Sequence, residues 1–194
     1  NSDLALQRRS YLGVDRTWSD QELSKMMMYA AELGREDYVT CLYLARYAAL
    51  RIHECFRIDT AIANKAIRDH AITIKGKGGL VRTVPLTPVV EARLIYHLAL
   101  TPRGHKLFVP DDMPTHKAIH GLQAFIADHR PFAQDPDSNR PMTIHGLRHT
   151  CAAEWYDARL AAGDTPKQAR LAVARLLGHG RDDVTKIYLA KSMD

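Results

Sequence analysis

Four short segments carry side chains whose types and spacing could do chemistry. In Thr143-Ile144-His145-Gly146-Leu147-Arg148-His149-Thr150, His145 and Arg148 stand three apart and share a face if the segment is helical. An imidazole beside a guanidinium suits a phosphate, because arginine matches its oxygens bidentately. Alone, the segment fits a polar surface helix equally well. His145 and His149, four apart, could also ligate a metal, but no Glu follows His145 and no third ligand declares itself. In Arg51-Ile52-His53-Glu54, an arginine at the end of an apolar run has a glutamate three residues on that could hold it in place. A helix-end ion pair of little energetic weight explains those residues as simply.

The third segment is Gly76-Lys77-Gly78-Gly79, where glycines free the backbone so that Lys77 can approach a ligand as a cationic arm. A solvated turn is the bland alternative. The fourth is Leu177-Gly178-His179, with Tyr188 nine residues further on. A phenol ionises near pH 10, so a tyrosine nucleophile needs neighbours that take its proton. An isolated Tyr more often packs a helix on the core.

The elements that must position these residues are mostly helical. Ser19-Asp20-Gln21-Glu22 has the capping-box pattern ahead of Leu23, Met26, Met27 and Ala30, and Gly34 ends that helix. A second helix from about Asp37 is apolar on most sides and leads into Leu50-Arg51. Ala71 to Ile74 and Arg82 to Leu86 flank the glycine turn as a hairpin. Thr87-Pro88 opens a helix to about Leu100. Lys106 to Val109 reads as a short strand, Thr115 to about His129 as a helix, and Pro131 to Pro141 as an exposed loop. Helices follow from Ile144 to about Ala162 and from Thr165-Pro166 to Leu177, and a last short one starts at Asp182-Asp183 and carries Tyr188. The fold class is mainly α with a small antiparallel β-sheet (α+β).

The chain of 194 residues is 46% apolar and 25% charged, ordinary for one globular domain. Its net charge is +5, and the segment from Lys65 to Lys106 holds eight basic residues against two acidic ones, or +6, which leaves −1 elsewhere. That segment is therefore expected to face an acidic partner. Cys41, Cys55 and Cys151 have neither disulfide-framework nor zinc-knuckle spacing, so a reduced intracellular protein is expected. No apolar run reaches the roughly 20 residues of a membrane span, and the N-terminus has no export-signal pattern. The first residue is not Met, which fits a segment of a longer polypeptide.

Taken together, Arg51, Lys77, His145, Arg148, His179 and Tyr188 resemble, in order and spacing, the active-site set of the tyrosine recombinases, the phage-integrase family. Leu50-Arg51-x-x-Glu54 is similar to the first-arginine box, and Gly76-Lys77-Gly78 with Arg82-x-Val84-Pro85-Leu86 to the lysine hairpin. His145-x-Leu147-Arg148-His149-Thr150 is similar to the second box, and Leu177-Gly178-His179 with Thr185 and Tyr188 to the third. The resemblance implies a tyrosine recombinase catalytic-domain-like fold over residues 19–188, after a linker of residues 1–18 to a missing N-terminal core-binding domain and before a tail of residues 189–194. It implies that Tyr188 attacks a DNA phosphate to form a 3′-phosphotyrosine, with Arg51, Arg148 and His179 holding the phosphate oxygens. His145 would be the base for Tyr188, and Lys77 the acid for the leaving 5′ oxygen, with Lys75 as its rival. Glu54 and His149 would support these groups, and Lys75 and Arg82 would contact DNA. An Arg148→Ala change would remove cleavage and leave the fold intact.

No cofactor or metal is implied. The implied partner is double-stranded DNA, bound by a homotetramer of the full-length protein, the isolated domain being monomeric. The implied setting is the cytoplasm, in a bacterial or phage-encoded, nucleoid-associated protein of a mobile genetic element. A type IB topoisomerase-like enzyme and a non-catalytic DNA-binding module are the alternative readings.

Overall fold

Ser19 caps the first helix as its sequence predicts. Its Oγ accepts from Glu22 N at 3.1 Å, and Glu22 Oε2 accepts from Ser19 N at 2.7 Å. In this computed structural model, residues 14–76, 79–178, 185, 188 and 189 are described. Among them run helices α1 (Asp20–Glu32), α2 (Glu36–Tyr47), α3 (Ile52–Cys55) and α4 (Thr60–Arg68), then the strands β1 (Ala71–Lys75) and β2 (Val81–Pro85). Four helices follow: α5 (Pro88–Leu100), α6 (Thr115–Ala133), α7 (Ile144–Ala161) and α8 (Pro166–Leu177). The strands pair antiparallel, with Ile74 opposite Arg82 and Ile72 opposite Val84. The α+β expectation therefore stands.

Helix α7 is the axis of the fold, buried from Ile144 through Ala153 apart from His145. It packs between α2 and α8, while α1 covers α6 and α4 backs the hairpin. Arg46 of α2 clamps Glu154 of α7 bidentately at 2.7 and 2.5 Å. Just past the Ala48 cap of α2 comes Ala49, whose φ of +50° is left-handed, a conformation that L-residues with a Cβ adopt at a cost. That turn aims the Ala49 carbonyl inward, where two arginines use it. Helix α8 ends more easily, on Gly178 at φ +65°.

The packed domain begins earlier than expected. Thr17 and Trp18, assigned to the linker, are 4% and 3% exposed. Trp18 donates from Nε1 to Thr143 O at 2.9 Å, and its N donates to Thr150 Oγ1 at 2.9 Å. Gly146 makes room for this strap, since a Cβ there would lie 2.2 Å from Arg16 O and 2.7 Å from Trp18 Nε1. A Gly146→Ala variant is thus expected to lose roughly 1–3 kcal/mol. A urea midpoint equal to that of the wild type would show that the strap does not pack here.

Other boundaries also differ. Helix α4 was not anticipated, although Asp59 caps it, accepting from Ile62 N at 2.8 Å, and Ala63 and Ala66 are buried. Lys106 to Val109 forms no strand, only a bridge from Lys106 to Asp59. Helix α6 runs through Pro131 to Ala133. Leu189, placed in the tail, is buried in the core. The last predicted helix lies largely outside the described residues.

Candidate active site

Three side chains of α7 meet Tyr188. Arg148, His145 and His149 stand at helical spacing, so they share one face. Tyr188 Oη lies 3.1 Å from His145 Nε2. The His149 ring stacks on the phenol with centroids 4.3 Å apart and planes at 21°. The Arg148 Cζ sits 5.6 Å from the phenol ring centroid. Tyr188 is only 7% exposed, so the phenol is held rather than displayed.

Arg148 is 0% exposed and hydrogen-bonds through Nη1 to Ala49 O and through Nη2 to Leu177 O. Its Nε has no partner, and among the described residues no carboxylate lies within ion-pair distance of it. Burial lowers its pKa to about 10, and Arg51 and Arg82 push the same way while Tyr188 opposes them. Among the described residues this buried cation therefore faces neutral groups and no countercharge.

Glu54 holds the second guanidinium. Its Oε1 accepts from Arg51 Nη1 at 3.1 Å and Arg82 Nη1 at 3.0 Å, and its Oε2 accepts from Arg51 N at 2.8 Å and Arg82 Nη2 at 2.6 Å. Four donors saturate the carboxylate. Burial alone would raise its pKa, but Arg82 and Arg51 outweigh burial and hold it at about 2. The Arg51 side chain remains 23% exposed.

His145 is neutral at pH 7, because burial, then the charges of Arg148, Arg51 and Arg16, lower it to about 4. With its proton on Nδ1, its Nε2 accepts the phenol O–H. Burial, then His145 and nearby arginines, lowers His149 to about 3. Histidines depressed from about 6.5 contribute stability that is full above pH 6.5 and lost as pH falls through the folded values. Buried His149 is expected to cost about 2 kcal/mol by pH 5 relative to pH 7, and the more exposed His145 less. Urea midpoints at the two pH values should show this drop, and His149→Phe should shrink it. A flat profile in the wild type contradicts a neutral, buried His149.

The structure thus gathers Arg51, Glu54, His145, Arg148, His149 and Tyr188. Lys77 and His179 lie outside the described residues. Lys75 is exposed at the end of β1, as a DNA contact requires. Arg82 is corrected: it is 6% exposed and its fork is taken by Glu54, so it does not face solvent. The sequence carried the signal, since Arg82 alternates in register with inward Val84. The basic segment is likewise not one open surface. Lys65 and Arg68 pair with Asp69, and Arg93 pairs with Glu36 at 2.5 Å. The carbonyls of Ala49 and Leu177 were not legible, because every residue has one and only the fold chooses which is used.

A neutral imidazole on a phenol thus stands beside a buried guanidinium that has no carboxylate partner among the described residues, with a second, partly exposed guanidinium close by. The chain matches the Phage integrase family over residues 17–194 and belongs to that family, the tyrosine recombinases. Solved structures share the fold. XerA recombinase is 19% identical with a TM-score of 0.65, over 89% of this chain and 59% of that one. The Tn1549 transposon integrase in complex with a circular intermediate DNA is 16% identical with a TM-score of 0.65, over 90% and 61%. A lambda integrase dimer bound to a COC′ core site is 17% identical with a TM-score of 0.64, over 93% and 50%. The chain therefore spans less than two thirds of these proteins. No curated protein matches it by sequence. Among the described residues no helix is long and apolar enough to cross a membrane, and no cluster of His, Cys, Asp or Glu could hold a metal ion.

Proposed function

We propose that this chain is the catalytic domain of a site-specific DNA recombinase in which Tyr188 is the nucleophile. The observation that carries the reading is Arg148, fully buried, without a carboxylate partner among the described residues, and set beside the Tyr188 phenol that His145 engages. A scissile phosphodiester between Arg148 and Arg51 supplies the missing negative charge. The Tyr188 oxygen attacks phosphorus, the P–O5′ bond breaks, and a 3′-phosphotyrosine and a 5′ hydroxyl result. The arginines stabilise the charge that grows on the non-bridging oxygens.

The substrate also tunes the base. Arg148 and Arg51 are what depress His145 after burial, so a bound phosphate that cancels their charge strengthens His145 as acceptor of the phenol proton. Lys77 is the proposed acid for the 5′ oxygen and His179 a further donor to the phosphate. Religation is the reverse attack by a 5′ hydroxyl, with the bond energy kept in the ester. In the whole protein, the proposed partner is double-stranded DNA held by a homotetramer. The DNA named with the transposon and lambda integrases supports that partner by likeness of fold.

The test uses the full-length protein and a pool of duplexes nicked beside a randomised core, so that cleavage traps the enzyme. An SDS-stable adduct is expected, formed equally in EDTA, with the nucleotide on the peptide that contains Tyr188. Absence of adduct across the pool, attachment elsewhere, or an EDTA-sensitive reaction would overturn the mechanism. Relaxation of supercoiled plasmids lacking any selected site would instead favour the topoisomerase-like reading.

A further inference from the structure

Arg82 enters the site from the hairpin, on the buried face of β2 that also carries Val84. Besides its two bonds to Glu54, its Nη2 lies 3.4 Å from Ala49 O, the carbonyl that also accepts from Arg148. Gly178 keeps space for it on one side, and Gly76 borders it on another at ordinary contact distance. A Cβ at Gly178 would lie 3.1 Å from Arg82 Cδ and 3.3 Å from its Nη1. A Cβ at Gly76 would lie 3.8 Å from Arg82 Nη1 and 3.9 Å from Arg51 Nη1. The ends of α2 and α8, the start of α3 and the hairpin tip thus converge on this one guanidinium.

The charges around Glu54 decide what Arg51 can do. Glu54 and Arg51 alone would form a neutral pair, and a buried carboxylate with vacant lone pairs would draw in the whole Arg51 fork. With Arg82 present, Glu54 takes only one side-chain nitrogen of Arg51, at 3.1 Å. The trio carries a net charge of +1, and Arg51 is the partly exposed member, its side chain 23% accessible against 4% for Arg82. We propose that Arg82 is a positioning residue that neutralises Glu54 and so keeps the Arg51 guanidinium available to the scissile phosphate. This deepens the recombinase reading and rests on it.

The role separates from a purely structural one in a double-variant test on the full-length protein. Arg82→Met leaves Glu54 to capture Arg51, and single-turnover cleavage of the nicked duplex is expected to fall roughly 10²-fold. Adding Glu54→Gln removes the capturing charge, so the Arg82→Met/Glu54→Gln protein is expected to recover about tenfold over Arg82→Met. Arg82→Lys, which keeps the charge but not the fork, should fall between wild type and Arg82→Met. The Arg51 Nε–Hε signal in NMR gives a readout independent of cleavage. Its solvent exchange should slow in Arg82→Met and return towards wild type in the double variant.

A double variant no faster than Arg82→Met, or an Arg51 signal unchanged by Arg82→Met, overturns the proposal. If Arg82→Met fails to fold, the same comparison between Arg82→Lys and Arg82→Lys/Glu54→Gln decides it. Failure of the wild type to form any adduct would instead count against the recombinase reading, while the Arg51 exchange data would still judge the role of Arg82.

Discussion

Tyr188→Phe is expected to form no covalent adduct with any duplex that traps the wild-type protein, and to keep its fold. The change deletes one oxygen and leaves the ring. The stack on His149 at 4.3 Å depends on the ring, so it persists. What goes are the contacts of Oη, the hydrogen bond with His145 Nε2, 3.1 Å long, and the one with Arg148, together a net contribution of roughly 1 kcal/mol. Stability is therefore expected within roughly 1 kcal/mol of wild type, against a complete loss of adduct. Adduct formation by Tyr188→Phe at the wild-type level would mean that another group attacks the phosphate. A collapse of the fold would mean that the hydroxyl, and not the ring, holds this segment in place.

Arg148 carries the second large effect, and here the structure revises the expectation that Arg148→Ala leaves the fold intact. The guanidinium ties the carbonyl of Ala49, just past α2, to the carbonyl of Leu177, at the end of α8. Truncation to Ala strands buried acceptors and opens a cavity, each worth about 1–3 kcal/mol. Release of a cation that burial disfavours, its pKa being lowered to about 10, offsets part of that loss. The net expectation is a loss of roughly 2–3 kcal/mol in urea unfolding, with cleavage down at least about 10²–10³-fold. Arg148→Lys separates the two roles. It keeps a cation and part of the packing, so stability should fall less, yet one ammonium cannot span both carbonyls and a phosphate. Near-wild-type cleavage by Arg148→Lys would show that charge suffices and that the fork geometry is unimportant.

Some of this was legible because it depends on neighbours along the chain. The Ser19 to Glu22 cap, the glycine hairpin, the Thr165-Pro166 start and the Gly178 stop are local devices, and each forms where its residues stand. Asp59 and the Ala63 and Ala66 stripe are the same kind of local device for α4. The strap at Thr17 and Trp18 gave no local sign, since its reason is the absent Cβ of Gly146, far away in sequence.

The site divides along the same line. Residue type and spacing along one helix determined that His145, Arg148 and His149 share a face, and the order of the four motifs determined the family to which the chain belongs. Tertiary structure alone decided what each charge faces. Arg82 and Arg148 are both buried arginines, yet among the described residues one is neutralised by Glu54 and the other meets two carbonyls and the Tyr188 phenol. That difference comes from contacts between segments far apart in sequence. A buried charge is governed by the atoms packed against it and not by its neighbours in the chain, so only the folded structure shows which cation is left for a phosphate.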